Sequence, residues 1–407
     1  MNWIANQNTI IFNSKFNEEL DSELISNYTK LIFSNYELNE QLFEYYQNDS
    51  FKGLKFIESK FNQDVSNLPN SLTHLTFGCS FNRKVSNLPS TLTHLTFGKH
   101  FNKNVSNLPS TLTHLTFGTY FDQDVSKLPP YLTHLTFGNY FNSNVYILPF
   151  CLTHLTFGNE FNQYVSNLPN SITHLTFGSH FNQDVSKLPN SITHLTFGEC
   201  FNRDVSNLPH HLTHLTFGKK FNQDVSNLPH SLTHLIFGEF FNQDVSILPL
   251  SLTHLIFGYE FNQDISKLPH SLTHLTLDYK FNQQCEIFQN IKYLKLNCNN
   301  PHIINSLPNS IVELELGYPF NLEIDNLPTS IKKLVIDKNS SFNRNLNCLP
   351  DFIEELQLNH FYRKRIIKIP SKLKKLICDN DYQYKDDFSI CDVETYILPY
   401  TPAFKLY

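Results

Sequence analysis

Phe61-Asn62-Gln63-Asp64-Val65-Ser66-Asn67-Leu68-Pro69-Asn70-Ser71-Leu72-Thr73-His74-Leu75-Thr76-Phe77-Gly78-Cys79-Ser80 is one unit of a pattern that recurs eleven times without a break, from Phe61 to Lys280. Six apolar positions return in it: Phe61, Val65, Leu68, Leu72, Leu75 and Phe77. Leu75 and Phe77 are two residues apart, so they share one side of an extended strand while His74 and Thr76 take the other. Pro69 lacks an N–H and fixes its own φ, which suits a turn before the strand and not the strand itself. Gly78 follows directly and can adopt a positive φ at the corner. Six apolar side chains cannot be covered by one such unit. Stacking successive units buries them and joins their short strands into a parallel ladder.

The period extends beyond the regular middle. Ile10-Ile11-Phe12, Leu31-Ile32-Phe33 and Leu54-Lys55-Phe56 echo the strand upstream. Leu294-Lys295-Leu296, Leu314-Glu315-Leu316, Leu334-Val335-Ile336, Leu356-Gln357-Leu358 and Leu376-Ile377-Cys378 continue it downstream, with Tyr396-Ile397-Leu398 as a final candidate. The expected architecture is a repeat solenoid, a curved coil with one short parallel β-strand per 20-residue repeat and few helices. About 19 coils are expected, arranged as divergent N-terminal repeats and cap (1–60), regular repeats (61–280), divergent repeats (281–379) and a C-terminal cap (380–407), all in one continuous stack.

Composition removes several classes of function. Of 407 residues, 40% are apolar and 14% aromatic, too many for a disordered chain. A net charge of −6 gives no general attraction to nucleic acid or to anionic membranes, so neither is expected as a partner. No apolar run approaches the roughly 18–20 residues that span a bilayer, and no basic-then-apolar leader opens the chain. An intracellular, cytoplasmic protein is expected, in the host cytoplasm if the source is a virus. Eight cysteines without a CxxC pair fit neither a zinc ribbon nor a disulfide framework. No phosphate-cradling glycine loop, GxSxG or HExxH occurs, so no enzyme, cofactor or metal is expected.

The Leu-Pro-x-Ser-Leu-x-x-Leu-x-Phe-Gly-x-x-Phe-Asn frame, seen from Leu68 to Asn82, resembles the FNIP repeat of the leucine-rich-repeat class, which is abundant in social amoebae and their giant viruses. The family's Phe-Asn-Ile-Pro is Phe61-Asn62-Gln63-Asp64 here, and the repeat has 20 residues instead of the commoner 22. The resemblance implies that the strands line a concave face, with Leu75 and Phe77 inward and His74 and Thr76 outward. The asparagine falls two residues after the usual ladder position of that class, at Asn82. A buried side-chain ladder joining neighbouring turns is expected, because a stacked backbone corner leaves groups needing partners. Asp122 replaces that asparagine once and can only accept when ionised, so its coil is expected to be locally weaker. Many family members carry an N-terminal F-box; residues 1–60 lack its helical leucine pattern.

A histidine column stands out: His74, His94, His114, His134, His154, His174, His194, His214, His234, His254 and His274. Three readings are open for it: rings packed on one another, a metal-binding row, or a pH response in which adjacent imidazoles repel when protonated. With Thr76, Thr96 and Thr116 it forms the candidate concave face. Information sufficient for specific recognition must instead sit where units differ. The pair after glycine varies most, which marks His100, Tyr120, Tyr140, Lys219, Lys220, Phe240 and Tyr259 as a candidate edge; Phe150, His210 and Leu250 vary after the proline. Arg363 to Lys375 is basic enough for a nuclear-import or polyanion patch, but its apolar residues hold repeat positions and acidic residues follow, which favours a solvated coil face. The functional expectation is a protein–protein interaction scaffold. The alternatives are a ubiquitin-ligase substrate receptor without a recognisable F-box, and an expanded repeat with no specific ligand.

Overall fold

The computed structural model describes residues 2–39, 41–48, 54–287 and 289–396. They form β-solenoid turns, one parallel strand per turn of about 20 residues. The chain divides into two compact units, Met1–Leu212 and Thr213–Tyr407.

In the first unit β1 (Trp3–Ala5) lies antiparallel on β2 (Thr9–Phe12), with Trp3 opposite Phe12, and so covers the first strand edge. Parallel pairing then runs through β3 (Lys30–Phe33) to β4 (His74–Thr76), which sets Lys30 opposite His74. It continues in register through β5 (His94–Thr96), β6 (His114–Thr116), β7 (His134–Thr136), β8 (His154–Thr156), β9 (His174–Thr176) and β10 (His194–Thr196).

The second unit starts with β11 (His214–Thr216), β12 (His234–Ile236), β13 (His254–Ile256) and β14 (His274–Leu277). It goes on through β15 (Tyr293–Leu296), β16 (Glu313–Leu316), β17 (Lys333–Ile336), β18 (Glu355–Gln357), β19 (Lys375–Asp379) and β20 (Asp392–Tyr396). All of these pair parallel to the next. The last strand is centred on Glu394, earlier than expected; Tyr396 ends it, and Ile397 and Leu398 lie outside the described residues. Helices among the described residues are short: α1 (Ser22–Ile25), α2 (Leu42–Asn48) and α3 (Pro301–Ile304), with a 3-10 turn at Lys385–Phe388.

The core is the six expected columns. Phe61, Leu72, Leu75 and Phe77 are almost fully buried, and Val65 and Leu68 nearly so. The two phenylalanine positions interlock: Phe77 stacks on Phe81 at 3.7 Å and on Phe97, one coil further, at 5.7 Å. Each buried phenylalanine contributes roughly 2–3 kcal/mol from removing its surface from water. Pro69 makes the turn before the strand, where Leu72 N donates to Pro69 O at 3.1 Å.

Three expectations are corrected. Leu54-Lys55-Phe56 is not a ladder strand. β3 pairs directly with β4, so no strand edge is free for it, and Phe56 makes only an isolated antiparallel bridge to Tyr36 while remaining exposed. Phe61 closes on Phe33 at 3.8 Å, the spacing of Phe77 on Phe81, so the described parts of 34–60 are an insertion in one coil corner. Gly78 and its copies from Gly98 to Gly198, next, do not take a positive φ. A Cβ on Gly98 would collide with the Gly78 carbonyl oxygen, and the same holds from Gly98 up to Gly138, so the column exists to let backbones of neighbouring coils nest. Finally, the asparagine ladder is half-exposed and uses its side chain as an acceptor. Asn82 N donates to Asn62 Oδ1 at 2.9 Å and Asn102 N to Asn82 Oδ1 at 3.0 Å. Asp122 fills this role unchanged, accepting from Asn142 N at 3.0 Å and from the Ser143 hydroxyl at 2.8 Å.

Candidate functional site

The outward strand face is built by register. Parallel in-register pairing places each histidine on the next, so the side chain at the first strand position must tolerate its own copy. In the first unit the rings from His74 to His194 stack with centroids 4.1–4.3 Å apart and planes within 12°. In the second, His214, His234, His254 and His274 stack likewise, and His274 meets Tyr293 at 5.6 Å. Each imidazole is half-buried, and its Nδ1 lies 2.8–2.9 Å from the hydroxyl of the preceding threonine. Thr76, Thr96 and Thr116 lie half-buried two residues on, at the other outward position of the strand.

Six of the rings, those of His74, His94, His114, His134, His174 and His254, are held below the ordinary imidazole value. Burial first, then the neighbouring imidazoles and Lys30, pushes His74 down to about 4. Burial first, then the imidazoles of His274, His234 and His214, brings His254 to about 4. His94, His114, His134 and His174 are lowered from the same leading cause. Stacked parallel rings also aim their lone pairs side by side rather than at a common point, the wrong arrangement for one metal ion. Among the described residues no three His, Cys, Asp or Glu side chains converge on a metal position.

The variable edge assembles locally. His100, Tyr120 and Tyr140 stack at 5.3 and 5.1 Å on consecutive coils. In the second unit Lys219 pairs with Glu239 at 2.8 Å and lies over the Phe240 ring at 5.4 Å, Lys220 is exposed, and Tyr259 stacks on Tyr279 at 4.5 Å. The basic segment is a paired coil face. Arg365 meets Asp387 at 2.8 Å, Lys374 Glu354 at 2.5 Å and Lys375 Glu394 at 3.0 Å, while Ile366, Leu373 and Leu376 are buried.

Two features escaped the sequence reading. Tyr131, Tyr146, Ile147, Phe150 and Tyr164 are all more than half exposed on the turns of adjacent coils, where most other units carry small or polar residues. Only Phe150 was marked by its variability; the departure of Tyr146-Ile147 from Ser-Asn was the available signal. In the last coils, buried His360 contacts buried Asp379 through Nδ1 at 2.7 Å, with Tyr396 edge-on to the ring at 4.5 Å. The signal there was a histidine and an aspartate one coil apart.

Comparison with known proteins matches this architecture. The FNIP Repeat family model matches in overlapping windows from residue 61 to residue 319, more than half of the chain. CroV588, a circular LRR protein of a giant virus, superposes with a TM-score of 0.69 at 39% identity, covering 91% of this chain and 62% of that one. This chain thus spans less than two thirds of that protein. YopM from Yersinia enterocolitica superposes with a TM-score of 0.44 at 19% identity over 83% of this chain and 84% of that chain. No curated protein matches the sequence. No helix among the described residues is long and apolar enough to cross a membrane. Eleven tandem copies of the repeat, folded as stacked single-strand coils and matched by the family model over most of the chain, place this protein in the FNIP repeat family.

Proposed function

We propose that this protein is a non-enzymatic scaffold that binds another protein through the positions at which its coils depart from the repeat. A solenoid of this type separates a frame from a surface: the six buried columns hold the coil, and the turn residues are free to differ. The observation that carries the reading is the turn cluster Tyr146, Ile147 and Phe150, flanked by Tyr131 and Tyr164, with Phe150 68% exposed. Large apolar side chains at sites that accept Ser, Asn or Asp elsewhere have no folding role there. Aromatic and aliphatic groups of this kind make the buried centres of protein interfaces. Ile247 and Leu250 repeat the arrangement on one coil of the second unit, and Tyr120 and Tyr140 add the aromatic edge after the strand. Returning Tyr146, Ile147 and Phe150 to Ser, Asn and Asn tests this. A partner crosslinked to the wild-type chain should lose at least about tenfold in affinity for the variant. Equal recovery by both chains, with the variant as stable as wild type, would remove the cluster from the interface.

A further inference from the structure

At β2 and β3 the outward strand positions hold Thr9, Ile11, Lys30 and Ile32 in place of the histidine and threonine of the regular coils. Ile11 alternates with the core residues Ile10 and Phe12, so it takes the outward side, yet it is fully buried. Helix α2 of the insertion lies over this stretch of the sheet, and the two surfaces leave between them a cavity of about 100 Å³ with two unlike walls. One wall is apolar. Ile11 and Ile32 come from the strands, Phe43 and the Tyr46 ring from the helix, and the Tyr46 hydroxyl donates to Ser34 Oγ at 3.2 Å. The other wall carries donors from Lys30, Asn6 and Gln47. Asn6 Oδ1 accepts from the backbone N–H groups of Asn8 and Thr9 at 3.3 and 3.0 Å, which fixes the amide and leaves its NH₂ group as a donor.

Lys30 has no anion of its own. Outward lysines elsewhere in the ladder reach a carboxylate on the neighbouring coil: Lys295 meets Glu315 at 2.6 Å, Lys333 Glu313 at 3.1 Å and Lys375 Glu394 at 3.0 Å. Register gives Lys30 only Thr9 and His74 as neighbours. No carboxylate lines the cavity, and among the described residues Lys30 makes no ion pair. A half-buried ammonium without a counter-charge favours an anion beside it. Charge and size then limit the anion. One cation matches the single charge of a carboxylate better than the roughly −1.5 to −2 of a phosphate group. An apolar cavity of about 150 Å³ holds benzene, so this smaller one has room for a chain of about three carbons against its apolar wall. We propose that the cavity between α2 and β2–β3 binds a short aliphatic monocarboxylate, with its carboxylate on Lys30 and Asn6 and its chain against Ile11, Ile32 and Phe43.

The test uses the full chain with labelled isoleucine methyl groups. Butyrate should shift the Ile11 and Ile32 signals and bind at least about tenfold more tightly than butyramide, which lacks the charge, and than inorganic phosphate, which lacks the chain. Lys30→Met, which keeps the length of the side chain, should bring butyrate down to the level of butyramide. Ile32→Phe, which fills the cavity and keeps the charge, should abolish the response while the buried Ile172 and Ile192 signals of the same unit stay in place. No response of the wild-type chain to butyrate, equal binding of butyramide, or tighter binding of phosphate or of a peptide ending in valine would overturn the proposal.

Discussion

Within the second unit, β11–β14 and β15–β20 solve one problem in two ways. Both bury the same leucine column, Leu235 opposite Leu255 in the first and Leu314 opposite Leu334 in the second. Both are parallel and in register, so every outward side chain sits on the corresponding residue of the next coil. In β11–β14 the first outward residue is histidine each time, and each ring stacks on its copy. In β16–β19 the same column reads Glu313, Lys333, Glu355, Lys375. Lys333 reaches Glu313 at 3.1 Å and Glu355 at 3.9 Å, and one column over Lys295 meets Glu315 at 2.6 Å. Like charges directly opposed would destabilise the ladder, so charge survives there only by alternating. At the first outward position, then, β11–β14 repeat one ring and β16–β19 alternate charge.

The largest expected contrast concerns backbone nesting. A Cβ at Gly258 would meet the Gly238 backbone carbonyl, whereas one at Gly317 would meet the end of the Asn297 side chain. Gly258→Ala should cost about 3 kcal/mol, at the upper end for overpacking, and Gly317→Ala less than about 1 kcal/mol, because a side chain can swing aside. Hydrogen exchange of the flanking strands reads both; equal losses would show that nesting is no tighter in the regular coils. Next, Glu313→Lys places a second cation beside Lys333 and should cost about 1 kcal/mol, partly recovered in 1 M salt by screening. A matching cost and salt response from His234→Gln, which adds no charge, would break the distinction between the two faces. The smallest effect belongs to the corner ladder in the first unit. Asp122→Asn keeps the acceptor that Asn142 uses, so stability should change by no more than about 0.5 kcal/mol. A larger gain would restore the view that this corner is weak.

Most of the fold was legible because it is periodic. The spacing of Leu72, Leu75 and Phe77 sets the strand and its buried side, and copying it sets the register. What was not legible depends on distances between coils. Gly78 looks like a turn residue locally; only the approach of the next backbone shows that a Cβ has no room. Leu54-Lys55-Phe56 has a plausible strand pattern, but β3 already pairs with β4. For the site, the histidine column was plain, whereas the stacking of its rings and the threonine hydroxyl beside each Nδ1 depend on the spacing between coils. The exposed turn cluster was half visible through Phe150, since the turn positions of one unit carry no pattern of their own.

The central claim is that β11–β14 are held by stacked imidazoles that must stay neutral, and β15–β20 by alternating charge. Hydrogen exchange of the full chain, read as protection factors from pH 7.5 to 4 at low and high salt, tests it most directly. His254 titrates at about 4 when folded and near 6.5 when unfolded, so the unfolded state binds more protons between these values and stability falls as the pH drops through that window. The loss from His254, a half-exposed ring, should be on the order of 1 kcal/mol. Glu354, whose salt-bridged carboxyl lies below its ordinary value through Lys374 and then Lys332, contributes stability above pH 4.5 that is lost only as the pH falls further. The account predicts that β11–β14 lose protection between pH 6.5 and 4.5 at either salt concentration, while β15–β20 hold in that range and weaken with salt. Parallel loss in both regions, or a histidine region unchanged down to pH 4.5, would contradict it.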